Sequence, residues 1–146
     1  HANVGKRLTK SPKTYIRDSG LVHALLGIET MDELLGHPVI GASWEGFVIE
    51  NVLNAAPPRT QAFFYRTAAG AEIDLVLNMG AKGGLWAIEI KRGATAKIEK
   101  GFRHAIEDIE PTKSFILHSD TERYPKGDGV EAIGLGELIS ELRGYP

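Results

Sequence analysis

Two short runs constrain what this chain can fold into more than anything else in it: Glu72-Ile73-Asp74-Leu75-Val76-Leu77 and Leu85-Trp86-Ala87-Ile88-Glu89-Ile90-Lys91, separated by Gly80-Ala81-Lys82-Gly83-Gly84. Side chains alternate faces along a strand, so the first run places Ile73, Leu75 and Leu77 on one face and Glu72, Asp74 and Val76 on the other. The same rule groups Trp86, Ile88 and Ile90 and leaves Glu89 with Lys91 on the reverse. A hairpin whose loop is centred between Ala81 and Lys82 pairs Asn78 with Leu85 and Asp74 with Glu89.

That register has a chemical consequence. Opposed side chains have Cβ atoms about 5 Å apart, where two carboxylates repel by roughly 3 kcal/mol at an effective dielectric of about 20. Relief needs a cation. Lys91 on the same face offers one positive charge, and Mg²⁺ offers two, taking a few carboxylates with water completing its octahedron. Glu89-Ile90-Lys91 alone is a common triplet, and Asp74 alone reads equally well as a solvated residue on an exposed sheet face.

The segment before these strands supplies a third acid. From Ser43 to Ala56 the spacing is helical and stops at Pro57-Pro58, with Trp44, Val48, Ile49, Val52, Leu53, Ala55 and Ala56 on one arc. Glu45 falls in the middle of that arc and Glu50 outside it. A carboxylate facing the core is costly unless partnered, so Glu45 points to a core arginine, to a route back to water, or to the cation of the other two acids.

The remaining elements follow from periodicity and breakers. Ala62 to Thr67 is a strand preceding the hairpin, so the three make a meander. A second helix carries Ile98, Phe102, Ala105, Ile106 and Ile109 on one face and stops at Pro111. Ser114 to His118 is a fourth strand, Tyr124 to Gly129 a polar loop, Val130 to Ile133 a short strand and Leu135 to Leu142 a last helix. Near the start, Asp18 to Gly27 reads as a short capped helix, with a further turn at Asp32 to Leu35. Residues 1–14, with Lys6, Arg7, Lys10, Lys13 and Pro12, read as a linker or arm from an absent upstream domain, and residues 15–146 as a single domain. The order helix, three-strand meander, helix, strand is an α/β pattern with helices covering a sheet.

Composition excludes several classes. The chain has 146 residues, 42% apolar, enough for one core. A net charge of -2 argues against coating nucleic acid by bulk charge, so any DNA contact is local. With no cysteine there are no disulfides, thiolate zinc sites or cysteine nucleophiles, and a reducing, cytoplasmic compartment is expected. No apolar run reaches the roughly 18 residues needed to span a membrane. His1, His23, His37, His104 and His118 lack paired metal-ligand spacing, and no G-x-x-x-x-G-K-[ST] loop for ATP is present.

The helix, the meander and their acids resemble the PD-(D/E)XK, or restriction-endonuclease-like, superfamily over about residues 41–118. Within it, the segments Lys13-Thr14-Tyr15-Ile16-Arg17-Asp18-Ser19-Gly20-Leu21, Gly41-Ala42-Ser43-Trp44-Glu45-Gly46-Phe47-Val48, Phe64-Tyr65-Arg66-Thr67 and Glu72-Ile73-Asp74-Leu75-Val76 are similar to the uncharacterised C-terminal domain of prokaryotic AAA-type ATPases. The resemblance implies a central mixed β-sheet flanked by helices and a metal-dependent nuclease site. Asp74 and Glu89 would bind Mg²⁺ or Mn²⁺ with the Ile90 carbonyl, Glu45 would support the metal or its water, and Lys91 would orient the attacking water. It also implies ATPase and winged-helix segments upstream, with DNA as a possible partner. Two positions depart from the pattern: Ile73 stands where proline is usual, and Arg92-Gly93-Ala94 follows the lysine without the polar residue many active members carry.

Arg66, Arg92 and Lys97 are the candidates for contact with a nucleic-acid backbone, against a salt bridge for Arg66 and a solvated helix face for the stripe Lys97, Lys100 and Arg103. Three functional readings stand: an Mg²⁺-dependent DNA endonuclease, a catalytically inactive module of the same fold that docks DNA or protein, and a small-molecule enzyme, for which an apolar pocket away from Asp74 and Glu89 would speak. The oligomeric state is not legible.

Overall fold

The structure is a computed structural model that describes residues 8–9, 40–93 and 95–146. The expected helices at 18–27 and 32–35, the segment 13–21 and His1, His23 and His37 lie outside the described residues. Leu8–Thr9, inside the stretch read as an arm, form strand β1 and pair antiparallel with Tyr65 and Phe64.

The remaining elements are α1 (Ile40–Ala55), β2 (Gln61–Arg66), β3 (Glu72–Asn78), the single-turn α2 (Gly80–Gly83), β4 (Leu85–Ile90), α3 (Lys100–Ile109), β5 (Lys113–His118), β6 (Tyr124–Gly127), β7 (Val130–Gly134) and α4 (Leu135–Arg143). The sheet runs in the order β1-β2-β3-β4-β5-β7-β6. It is antiparallel from β1 to β4, parallel across β4, β5 and β7, and antiparallel again at β6. The parallel step from β4 to β5 requires a long crossover, and residues 91–112 with α3 provide it.

Each face of the sheet has its own core. On one, Leu75, Leu77, Trp86, Ile88, Phe115, Leu117 and Ile133 pack beneath Val48 and Val52 of α1 and Leu138 and Leu142 of α4. On the other, Tyr65, Ile73, Val76, Ala87, Ile116 and Ala132 meet Phe102, Ala105 and Ile109 of α3. A sheet buried on both faces explains why β5, Lys113–His118, is buried at five of six positions. None of the described helices is long and apolar enough to cross a membrane.

Three local readings need correction. First, Ile73 does not share a face with Leu75 and Leu77; it lies with Val76 under α3. The β2–β3 pairing passes from Phe63↔Val76 to Tyr65↔Ile73, so two residues of β3, Asp74 and Leu75, stand against Phe64 alone. Such a bulge breaks strict alternation and re-aims the side chains beside it. Second, Tyr124–Gly127 is not a loop but an edge strand in a hairpin with β7. Its turn is Asp128-Gly129, with φ of 56° and 75°, the two positive values that a tight Asp-Gly hairpin turn demands. Third, Leu53, placed on the buried arc of α1, is 42% exposed.

Candidate functional site

The hairpin register is the one expected from the strand runs. Asn78 opposes Leu85, Leu77 opposes Trp86, Val76 opposes Ala87 and Leu75 opposes Ile88, so Asp74 and Glu89 come next. At that step the ladder gives way to side-chain chemistry: the Ile90 N–H donates to Asp74 Oδ2 at 2.8 Å. The bulge places Asp74 where its carboxylate replaces a strand partner for Ile90.

Glu89 is 9% exposed and in hydrogen-bond contact with Asp74. Burial first, and then the hydrogen bond and charge of Asp74, push its carboxyl up to about 10, with Lys91 pulling the other way. Two acids in a dry site cannot both ionise, so near neutral pH Glu89 holds the proton and donates it toward Asp74. This is a pair that either shares a proton or neutralises its charge with a cation, and its oxygen donors fit a hard divalent ion. Among the described residues, no group of three or more His, Cys, Asp or Glu side chains stands at metal-ligand spacing.

Helix α1 reaches the same place by a contact invisible in the sequence. Trp44 Nε1 donates to the Lys91 carbonyl at 2.8 Å, pinning the first turns of α1 to the end of β4. Glu45, next in the helix, is half-buried, and it does not join Asp74 and Glu89 at metal-ligand spacing. Arg66 reports on this crowding of acids. Its guanidinium is held above its usual range first by a hydrogen bond to Glu72 and that residue's charge, and also by the charges of Asp74 and Glu45. The Arg66–Glu72 ion pair measures 2.8 Å with both side chains largely exposed.

Lys91 follows β4, its N–H still donating to the Leu117 carbonyl at 2.8 Å. Its ammonium lies 3.6 Å from Glu99, the residue before α3. Glu99 was not among the expected site residues, and only the fold brings it to Lys91. Arg92 and Lys97 are exposed on the segment between β4 and α3 and are not drawn into the carboxylate cluster. Tyr65, from the same strand as Arg66, turns to the other side and donates its hydroxyl to Asp108 of α3 at 2.7 Å.

His118 is 1% exposed. Its Nδ1 accepts from the Asp120 N–H at 3.0 Å and its Nε2 meets the Glu122 carbonyl at 2.8 Å, so both ring nitrogens are spent on closing the turn after β5. His104 is exposed on α3.

Comparison with known proteins adds family but not chemistry. Residues 40–138 match the family described as "Domain of unknown function (DUF4143)". Uncharacterized proteins of Mycobacterium tuberculosis and Mycobacterium bovis are each 38% identical to the chain over 139 residues, which is 95% of the chain and 31% of each relative. The chain thus spans about a third of the length of these curated relatives. No solved structure matches it.

Proposed function

This chain belongs to the DUF4143 family, and from that premise we propose that it is a nuclease-like domain of PD-(D/E)XK type within a larger ATPase, hydrolysing DNA phosphodiesters with Mg²⁺ or Mn²⁺. The observation that carries the reading is the contact between Asp74 and Glu89 on adjacent strands, with a lysine two residues after the second acid. Its setting supports the same reading: α1, then β2, β3 and β4 as a meander, then α3 and β5. The share of the curated relatives that the chain covers fits one domain of a longer protein. A cytoplasmic location, where cysteine-free domains and DNA are both at home, belongs to this proposal.

In it, Asp74, Glu89 and the Ile90 carbonyl would hold the divalent ion, and Glu45 would support it or its water. When bound, the ion supplies a water of lowered pKa and offsets charge on the phosphate. Asp74 keeps the end of β4 in place through the Ile90 N–H. Glu89 would release its proton to solvent on binding such an ion, whose charge would then offset that of the carboxylate pair. Lys91, held by Glu99, orients the attacking water and steadies the phosphate. Arg66, and more peripherally Arg92 and Lys97, contact the nucleic-acid backbone.

The test combines calorimetry with cleavage of supercoiled plasmid. Wild type binds Mn²⁺ and nicks the plasmid; Asp74→Asn loses both; Lys91→Ala binds the ion and loses nicking. Absence of metal binding, together with no cleavage of duplex, branched or single-stranded DNA, removes the nuclease reading and leaves a docking module of the same fold.

A further inference from the structure

Phe47 stands on the solvent side of α1, 42% exposed. An isolated exposed phenylalanine is ordinary on a protein surface, but this one is not isolated. Its ring stacks on that of Trp44, three residues earlier, with centroids 6.0 Å apart and planes 29° from parallel. Trp44 is itself fixed, because its Nε1 donates to the Lys91 carbonyl at 2.8 Å. Phe47 therefore carries into solvent an aromatic stack whose root is the end of β4, two residues past Glu89.

The neighbouring residues narrow what this ring can meet. Leu53, also exposed, lies six residues on and about 240° round the helix, so the two do not make the continuous apolar stripe that a partner helix needs. Within about 40° of Phe47 stand Asn51 and Asn54, polar and uncharged, the first donating to the Phe47 carbonyl at 2.8 Å. Glu50 is on the flank away from Trp44. On the Trp44 side, Arg92 follows directly on the carbonyl that the indole holds, and it is exposed with no ion pair among the described residues. A flat ring, amides beside it and a guanidinium on the adjoining backbone complement a nucleobase and its phosphate, since every base has a π face and a phosphate takes a guanidinium well. A protein interface would call for a wider apolar centre. Inside a duplex both faces of a base are covered by its neighbours, so only an unpaired base can reach Phe47.

We infer that Phe47, backed by Trp44, is a stacking platform for one unpaired nucleobase, with Arg92 on the adjoining phosphate. The substrate class of the nearby carboxylate site is then a single-stranded or frayed segment rather than continuous duplex, an assignment that rests on the nuclease reading. The base can come from DNA or from RNA, which offer the same face.

Fluorescence anisotropy of the full chain, with EDTA present so that nothing is cut, separates binding from cleavage. A labelled pyrimidine strand of about a dozen nucleotides should bind at least about tenfold more tightly than its blunt duplex. Phe47→Ala should weaken the single strand about tenfold and leave the duplex unchanged, whereas Phe47→Trp stays within about twofold of wild type. Phe47→Leu, which keeps the apolar bulk and loses the ring, should match Phe47→Ala and serves if that variant folds poorly. Arg92→Ala should weaken the single strand and lower its salt slope by about 0.7, the share of one phosphate. A ribo-oligomer of the same sequence identifies the source: a deoxy strand bound at least as tightly assigns DNA, a tighter ribo strand assigns RNA, and both support the platform. Ring-dependent binding of single strands by a chain that takes up no metal and cuts nothing removes the nuclease reading and keeps the platform. Duplex bound as tightly as single strand, indifference to Phe47→Ala and Phe47→Leu, or no binding of any oligonucleotide overturns the platform, even if plasmid is nicked. So does sedimentation showing a dimer that Phe47→Ala dissociates, since a second copy would then cover the ring.

Discussion

Replacing Glu89 with glutamine separates charge from shape at the carboxylate pair. Glutamine has the same size, and its amide N–H can donate to Asp74 as the protonated acid does. In the folded chain Glu89 is pushed from its ordinary 4.5 up to about 10, because burial and Asp74 both disfavour its charged form. Between those values the folded state holds a proton that the unfolded state has released. The stabilisation from this group is therefore complete below pH 4.5 and is lost as pH rises toward 10. The slope is at most about 1.4 kcal/mol per pH unit, so from roughly pH 5 to pH 8 wild type loses up to about 4 kcal/mol relative to Glu89→Gln. Set against a total of about 5–15 kcal/mol for a domain, that is large. Urea unfolding at four pH values, with constant m, measures it. Glu89→Gln should match wild type at the acid end and exceed it at pH 8. Adding Mg²⁺ at about 100 times its Kd should restore roughly 2.7 kcal/mol to wild type, with proton uptake by buffer, and little to the variant. Parallel stability curves for the two proteins would refute the reasoning, since they would mean that Glu89 titrates normally and that no shared proton exists.

Three further outcomes follow from individual contacts. Tyr65→Phe removes a hydroxyl that donates to Asp108 at 2.7 Å; it should cost about 1.5 kcal/mol by urea unfolding, a hydrogen bond to a charged group whose acceptor can still reach water. Gly101→Ala should destabilise even though alanine gains up to about 1 kcal/mol of helix propensity, because the new Cβ would lie 2.5 Å from the Gly70 carbonyl oxygen and push the start of α3 off the β2–β3 turn; a raised thermal midpoint would contradict this. Trp44→Phe loses the bond to the Lys91 carbonyl at 2.8 Å, about 1 kcal/mol. It should also weaken Mn²⁺ binding measured by calorimetry, whereas unchanged affinity would mean that α1 does not position the site.

Much of the fold was legible because it depends on local pattern. Strand β3 spans Glu72–Asn78, the bounds its β-rich run indicates, and the β3–β4 register follows from a glycine-rich connection of fixed length. Helix α3 buries Phe102, Ala105 and Ile109, the stripe its 3.6-residue period picks out. The β6–β7 hairpin was missed although its signal, Asp128-Gly129 between short extended runs, was present; Pro125 and Lys126 suit an exposed edge strand as well as a loop. The face of Ile73 was not legible, since a bulge depends on how two strands meet rather than on either one.

By itself, the order of residues determined most of the described helices and strands, though not β1 or β6, and which acids could oppose one another, because backbone periodicity and turn chemistry act over a few residues. Tertiary structure decided the rest: that Trp44, 47 residues away, holds the end of β4, that Glu99 meets Lys91, and that Glu89 is dry enough to keep its proton. Those are properties of burial and distance between separate elements, and a carboxyl has no fixed pKa until the surrounding protein sets how much water and which charges it meets.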